Sequence, residues 1–286
     1  MDFGKIFGKA LRYPFRLEFY LIFFIFNLAV TIPVMFIFPY SVSADISVAQ
    51  LREMLIFMIP LWLISFLVGI FLAAFFLDSA NRYFPRSGYG KIKDSFNTAK
   101  KRYLPLLGTK ILFFIVLGLV MIVFGGAFLL PLLCLPFHPL MLIPALILGA
   151  TAVIIAAFLL FLSPVACVLD KLGPVDSLKR SFNLVRVNKI NTFGFLVILL
   201  ILAILISLIG SLPSIIYSLV TRNLVYGLTV ENFLFTIIQL LFGSYVGMIS
   251  ISSQANFYQS LKKDTKGFSR AVKKRKTKKK RRKKKR

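Results

Sequence analysis

The chain has 286 residues, of which 58% are hydrophobic and only 16% are charged, and its formal net charge is +26. Soluble globular domains are about 45–50% apolar, so this composition excludes an ordinary soluble domain. The charges are segregated, because long apolar runs alternate with basic stretches and residues 270–286 supply about half of the net charge. The sequence therefore predicts an integral membrane protein.

Six apolar runs are long enough to cross a bilayer as helices, which takes about 20 residues. They are residues 18–39, 55–77, 104–130, 140–169, 192–220 and 232–255. The first run is not followed by a small-residue cleavage site, so we interpret it as a retained anchor. The predicted fold is all-α, with six transmembrane helices arranged as three hairpins in one domain over residues 1–260.

A short basic segment precedes the fifth run. Gly173 and Pro174 are typical of a helix start, and a helix from there places four apolar side chains on one face and the basic side chains elsewhere. The four are Val175, Leu178, Phe182 and Val185. Such a helix is predicted to be amphipathic and to lie in the membrane interface on the cytoplasmic side.

The same design recurs before the first and third runs, which indicates an internal repeat of three units. Ser95-Phe96-Asn97 before the third run recurs as Ser181-Phe182-Asn183, and Leu77-Asp78 recurs as Leu169-Asp170. Residues 3–11 carry a similar apolar stripe among basic residues. Each unit is predicted to be an interfacial helix followed by a transmembrane hairpin.

The distribution of Lys and Arg predicts the orientation. The stretches on one side of the spans hold 33 of these residues, and the stretches on the other side hold two. The basic stretches are residues 1–17, 78–103, 170–191 and 262–286. Because positively charged loops stay in the cytoplasm, both termini are predicted to be cytoplasmic and the protein to lie in the cell membrane.

The tail over residues 261–286 is the strongest functional signal. Its last fourteen residues include thirteen basic ones, and such a block repels itself and is predicted to stay disordered until it meets an anion. The predicted polyanion-binding residues are Lys273, Lys274, Arg275, Lys276, Lys278, Lys279, Lys280, Arg281, Arg282, Lys283, Lys284, Lys285 and Arg286. Anionic lipid headgroups and ribosomal RNA are the main candidate partners, with DNA and acidic proteins as further ones.

Polar and small residues recur at helical spacing in the last run. They are Gln239, Gly243, Gly247 and Ser250. Because Gly243 and Gly247 form a G-x-x-x-G, we interpret the stripe as a helix-packing face that lets backbones approach closely. The alternative is the polar lining of a transport cavity near Gln239 and Asn27.

No residue pattern predicts catalysis, a metal site or a cofactor. The single histidine, His138, has no second ligand near it in the sequence, and Cys134 and Cys167 lack a C-x-x-C spacing. Asp78 and Asp170 end even-numbered spans and as a pair could form a site. A carboxylate that faces water and offsets nearby cations is the simpler interpretation. An enzyme is therefore not predicted, and one acting on lipid headgroups is the weakest alternative.

Around the connector before the fifth span, the sequence resembles a known family. A span that ends with Pro and Asp is followed by Gly-Pro, by Ser-Leu-Lys-Arg-Ser-Phe and by a new span, and Phe257-Tyr258 comes after the last span. The matching residues are Pro164, Asp170, Gly173, Pro174, Ser177, Leu178, Lys179, Arg180, Ser181, Phe182 and Leu184. The pattern is similar to that of six-span prokaryotic membrane proteins, many of them archaeal, related to the membrane domain of glycerophosphodiester phosphodiesterases. This resemblance implies a six-helix membrane fold without catalytic residues, since the phosphodiesterase activity belongs to a separate soluble domain.

The predicted function is that of a non-enzymatic multi-pass membrane protein whose basic cytoplasmic face and tail engage anionic partners. In concrete form, it is a scaffold or a membrane-protein biogenesis factor that docks ribosomes. The alternative is a transporter of a small or lipid-like solute, which would use the cavity near Gln239 and Asn27.

Overall fold

The computed structural model describes residues 1–37, 48–83, 92–129, 142–221 and 230–283. Over these ranges the chain is helical and contains no strand, which confirms the all-α fold class. A short 3-10 helix, Tyr13–Phe15, follows the first α-helix. The α-helices of the described ranges are α1 (Phe3–Arg12), α2 (Leu17–Ile37), α3 (Val48–Tyr83), α4 (Ile92–Leu129), α5 (Leu142–Leu160), α6 (Ser163–Leu169), α7 (Pro174–Val187), α8 (Lys189–Thr221) and α9 (Val230–Lys283).

Five stretches of the described residues are long and apolar enough to cross a membrane, and they overlap the second to sixth predicted runs. A sixth is added if α1 and the residues Leu17–Pro33 of α2, which meet at a bend of 78°, count as one broken span. The five are Leu55–Arg82, Ile92–Phe124, Ile147–Leu169, Lys189–Val220 and Phe233–Asp264. Their many exposed large apolar side chains are typical of helices that face lipid, so the helices indicate a multi-pass membrane protein.

The chain folds as two compact units, each built from segments that are distant in sequence. The N-terminal unit comprises Asp2–Lys100 and Phe193–Ser253. The connector unit comprises Lys101–Thr192 and Gln254–Arg286, together with Met1. The long helices α4, α8 and α9 each contribute residues to both units.

Helix α1 is part of the core of the N-terminal unit. Its residues Ile6, Phe7 and Ala10 are buried. The Phe7 ring stacks on the Phe195 ring with 5.4 Å between centroids, and the Ser252 hydroxyl donates to the Ala10 carbonyl oxygen over 3.3 Å. The apolar stripe of α1 therefore packs on its own chain, and its placement in the membrane interface stays a prediction.

The interfacial helix predicted before the third span is not a separate element. Helix α4 runs from Ile92 to Leu129 without interruption, and its 38 residues span about 57 Å. The hydrocarbon core of a bilayer is only about 30 Å thick, so α4 is much longer than a span requires. No Gly-Pro pair separates the start of α4 from its apolar part, and Pro105 is accommodated inside the helix. Helix α7, in contrast, ends at Val187, with Asn188 as its C-cap, before α8 begins.

The tail is also helical over most of its length. Helix α9 has 54 residues and continues through Lys283, in direct continuation of the last span. This differs from the disordered tail that the charge pattern predicted. Lys and Arg have good intrinsic helix propensity, and residues 230–283 contain no proline that would break the helix.

Candidate functional site

The connector between α6 and α7 contains an unusual backbone conformation. Lys171 has a φ of 57°, in the left-handed region that residues other than glycine adopt uncommonly. The guanidinium of Arg102 donates from Nη1 to the Lys171 carbonyl oxygen over 3.1 Å. The thiol of Cys167 donates to the Leu172 carbonyl oxygen over 3.6 Å. Side chains from the neighbouring helices thus satisfy the carbonyl groups that the turn exposes.

Asp170, which follows the last residue of α6, is the centre of a group of polar contacts in the connector unit. The hydroxyl of Tyr258 donates to Asp170 Oδ2 over 2.7 Å, and the Lys262 ammonium donates to Oδ1 over 2.5 Å. Arg180 of α7 places Nε 3.7 Å from Oδ2. We call these four residues the Asp170 cluster. It connects the end of α6 to α7 and to α9.

The charges of the Asp170 cluster suit a structural role, in which cations hold one carboxylate. Two cations face one carboxylate, and only 12% of the Asp170 side chain is exposed. Charge-assisted hydrogen bonds of this kind are about twice as strong as those between neutral groups. The arrangement is that of a clamp between helices, with one positive charge in surplus among these four residues.

The small residues of α7 face the other helices of the connector unit. The Ser177 and Thr109 hydroxyl oxygens lie 3.2 Å apart. The Ser181 hydroxyl donates to the Leu159 carbonyl oxygen over 3.0 Å. Both serines are fully buried, so α7 approaches α4 and α5 through hydroxyl contacts.

The predicted apolar face of α7 is consequently divided. Val185 is buried, whereas Val175 and Phe182 are 52% and 38% exposed. The sequence pattern predicts these residues and Leu178 on one lipid-facing stripe. Of the four, only Val185 is buried, because it lies one turn after Ser181 on the side of α7 that contacts the neighbouring helices. The placement of the other three in the membrane interface stays a prediction.

Asp78, the counterpart of Asp170 in the predicted repeat, has a simpler environment in the N-terminal unit. Its Oδ2 accepts from Arg82 Nε over 2.6 Å, one helical turn further along α3. Arg82 also donates from Nη2 to the Thr98 hydroxyl over 3.3 Å. The structure therefore pairs each of the two candidate carboxylates with cations of its own unit.

Comparison with known proteins identifies the family. A family model for a domain of unknown function, DUF7847, matches residues 34–261. The chain belongs to the DUF7847 family. Searches of the curated proteins and of the solved structures give no match.

The matched region of the DUF7847 domain includes the whole Asp170 cluster except Lys262, which follows its last matched residue. It also includes the connector residues that carry the resemblance to phosphodiesterase membrane domains. That relationship stays a prediction. The basic segment from residue 273 onward lies outside the match.

The four residues predicted to pack helices behave differently within the DUF7847 domain. A Cβ added at Gly247 would lie 2.6 Å from Phe23 Cε1, so this glycine permits a close approach. At Gly243 the added atom would meet no described atom within 4 Å. Another close approach to α9 is made by Gly210 of α8, where a Cβ would lie 2.7 Å from Phe242 Cβ.

The polar residues of the predicted transport cavity are engaged with other side chains. Asn27 Nδ2 donates to the Ser244 hydroxyl over 3.1 Å. Gln239 Nε2 donates to the Ser214 hydroxyl over 3.4 Å. Ser250 accepts through its carbonyl oxygen from the Ser253 hydroxyl. These contacts are those of interhelical and intrahelical packing.

Some predicted site residues lie outside the described part of the chain. His138, Cys134, Lys284, Lys285 and Arg286 are among them. From residue 265 to Lys283 the tail is described only by its helical backbone. Among the described residues there is no group of three or more His, Cys, Asp or Glu side chains that could hold a metal ion.

Sequence reasoning does not find the roles of Tyr258 and Lys262. In the sequence, Tyr258 is one member of an aromatic pair after the last span, and Lys262 is one of the many cations of the tail. A usable signal is the scarcity of acidic residues, since the chain has only ten Asp and Glu. An Asp at the end of an apolar run in so basic a chain has many possible cationic partners, so its position marks it as a centre for tertiary contacts.

Proposed function

We propose that this DUF7847 protein is a non-enzymatic multi-pass scaffold of the cell membrane that docks a soluble polyanion, with ribosomal RNA as the concrete partner. One observation carries the proposal. Helix α9 passes from the Asp170 cluster directly into the basic segment without a break. The tail is thus fixed at its base by a clamp in the folded part of the chain.

The length of α9 favours a soluble partner over the lipid surface. From Lys262 to Lys283 the helix rises about 30 Å at 1.5 Å per residue. Five or six spans already anchor the chain, so the tail is not needed for membrane attachment. A helix of this length that continues a span carries its charges away from the headgroups, where RNA phosphates can reach them.

The charges of the segment suit a polyanion of no particular sequence. Thirteen Lys and Arg among fourteen residues, without any aromatic residue, provide phosphate contacts and no stacking platform. The proposed orientation has both termini in the cytoplasm, supported by the 33 basic residues on one side against two on the other. Ribosomes and the tail then share a compartment.

The environment of the two candidate carboxylates supports the non-enzymatic part of the proposal. Asp78 and Asp170 each accept hydrogen bonds from cations within their own unit. General-base catalysis needs a carboxylate within reach of a substrate proton, and these are occupied by structural partners.

Ribosome binding in neutral nanodiscs tests the proposal. Full-length protein in phosphatidylcholine nanodiscs is expected to bind purified ribosomes at near-physiological salt, and binding should weaken by orders of magnitude as salt rises because counterions are released. A variant with every Lys and Arg of residues 273–286 changed to Ser should lose binding. Gly267→Pro keeps the charge but breaks the helix of the tail, so it is expected to weaken binding.

Two results would contradict ribosome docking. One is equal binding by the intact and the charge-free chains. The other is a tail that associates with anionic lipid when this is added to the nanodisc but does not bind ribosomes. That result would make the tail a lipid-surface element.

A further inference from the structure

The connector unit has an open groove of about 260 Å³ beside α7, separate from the tail. Its lining comes from three helices, α4, α5 and α7. The lining residues are Val116, Leu160, Leu178, Lys179, Phe182 and Asn183. This volume is slightly below that of typical small-molecule pockets, which suits part of one chain-like ligand.

The side of the groove formed by α7 is apolar with a polar edge. Leu178 and Phe182 are one helical turn apart and present apolar surface to the groove. Lys179 and Asn183 are also one turn apart and form the polar edge. Lys179 makes no ion pair with any described residue, whereas the neighbouring Arg180 is engaged by Asp170. A cation and an amide donor are therefore available beside an apolar surface.

Exposed apolar surface, typical of helices that face lipid, continues from the groove along α4. On α4, Ile115 and Leu119 flank the groove residue Val116 and are 49% and 55% exposed. The helices α4 and α5 both belong to candidate spans. An apolar ligand dissolved in the bilayer can reach the groove without crossing water.

We infer that this groove binds an anionic phospholipid of the cytoplasmic leaflet, with part of one acyl chain against Leu178 and Phe182. The phosphate lies at the polar edge, where Lys179 supplies the charge and Asn183 a hydrogen-bond donor. A basic edge next to an apolar groove complements an anionic headgroup joined to an acyl chain. The choice of leaflet rests on the orientation given under the proposed function, whereas the groove itself does not, because the tail contributes nothing to it.

Photocrosslinking with phosphatidylglycerol that carries a diazirine in its acyl chain tests the inference. The full-length protein is placed in phosphatidylcholine nanodiscs with the labelled lipid as a minor component, and crosslinked peptides are mapped. Label is expected to concentrate on residues 174–187. Unlabelled phosphatidylglycerol should compete, and added phosphatidylcholine should not.

Matched variants of α7 separate the groove from the rest of the lipid-facing surface. Lys179→Gln should reduce the label about fivefold, as expected for losing one cation at an anionic headgroup. Leu178→Trp, which fills the groove, should reduce it as well. Arg186→Gln removes the same charge about 10 Å along the helix and should leave the label unchanged. Val187→Trp, at an exposed position outside the groove, is the matched control for the bulky side chain.

Three results would overturn the inference. The first is label spread evenly over α7 and the exposed apolar surface of α8, which would indicate annular lipid only. The second is equal competition by phosphatidylcholine. The third is protein–protein crosslinking at the groove, which would show a second copy of the chain as the occupant. Ribosome binding by the tail is measured separately, so either proposal can fail while the other holds.

Discussion

Asp78 and Asp170 each come directly after a leucine at the end of an apolar run, yet the two units of the molecule use them differently. In the N-terminal unit, Asp78 forms a local pair with Arg82 on the same helix. In the connector unit, Asp170 joins residues that are ten, 88 and 92 positions away: Arg180, Tyr258 and Lys262. One aspartate supports a helix turn, and the other holds three helices together.

The difference arises from the path of the chain after each aspartate. After Asp78 the helix α3 continues to Tyr83, so the nearest cation is one turn ahead on the same face. After Asp170 the helix ends and Lys171 adopts a left-handed conformation. A carboxylate at the free end of a helix can be approached by side chains from several directions. The same Leu-Asp dipeptide therefore makes a local contact where the helix continues and a tertiary contact where the helix ends.

The largest effect is expected from Asp170→Ala. This change leaves Lys262 and Arg180 without their carboxylate and should lower the free energy of unfolding by about 2 kcal/mol, in the range for lost hydrogen bonds to charged groups. Thermal unfolding in mild detergent measures it. Asp176→Ala, which removes an exposed acid from the first turn of α7, is the matched control and should have a much smaller effect. An equal loss of unfolding free energy in both variants would mean that the Asp170 cluster does not act as a clamp between helices.

An intermediate effect is expected where α7 meets α4. A Cβ added at Gly108 would lie 2.9 Å from Pro174 Cγ, and the proline ring has little freedom to move. Gly108→Ala should therefore destabilise the chain by about 1–2 kcal/mol through overpacking, measured by the same thermal unfolding. Gly118→Ala on the same helix meets no described atom within 4 Å and should be neutral or slightly stabilising.

Thermal unfolding also tests the two glycines of the G-x-x-x-G in the N-terminal unit. Gly247→Ala is expected to destabilise and Gly243→Ala to be tolerated, because only the first meets Phe23. The pair tests whether the G-x-x-x-G acts through one glycine or both. Equal destabilisation by the two variants would restore the interpretation of a two-glycine packing face.

The smallest effect is expected from Asp78→Asn. The Arg82 side chain is 40% exposed, so the ion pair is partly screened by water and should contribute only about 0.5–1 kcal/mol. Arg82 also keeps its contact with Thr98. If Asp78→Asn costs as much as Asp170→Ala in the same unfolding assay, the contrast between the two units is wrong.

The sequence by itself determined the class of the molecule. A helix in lipid must bond its own backbone groups and cover about 30 Å with apolar residues, so the apolar runs alone predict helices that can span a membrane. The start of α7 at Gly173 and Pro174 was equally readable, because both residues act through local backbone geometry. These features depend on neighbours in sequence. Among the described residues, five of the six runs overlap helices long enough to span a membrane, and α7 begins at Pro174.

Only the tertiary structure decided which face of each helix is buried and which distant residues meet. Periodicity places Val175, Leu178 and Phe182 on one face of α7, but it cannot show that Ser177 and Ser181 occupy the closest approach to α4 and α5. Likewise, no local pattern connects Asp170 with Tyr258 and Lys262. Packing density selects small residues at contacts, and an ionised carboxylate attracts whichever cations the fold brings near. Both effects depend on contacts between segments far apart in the chain.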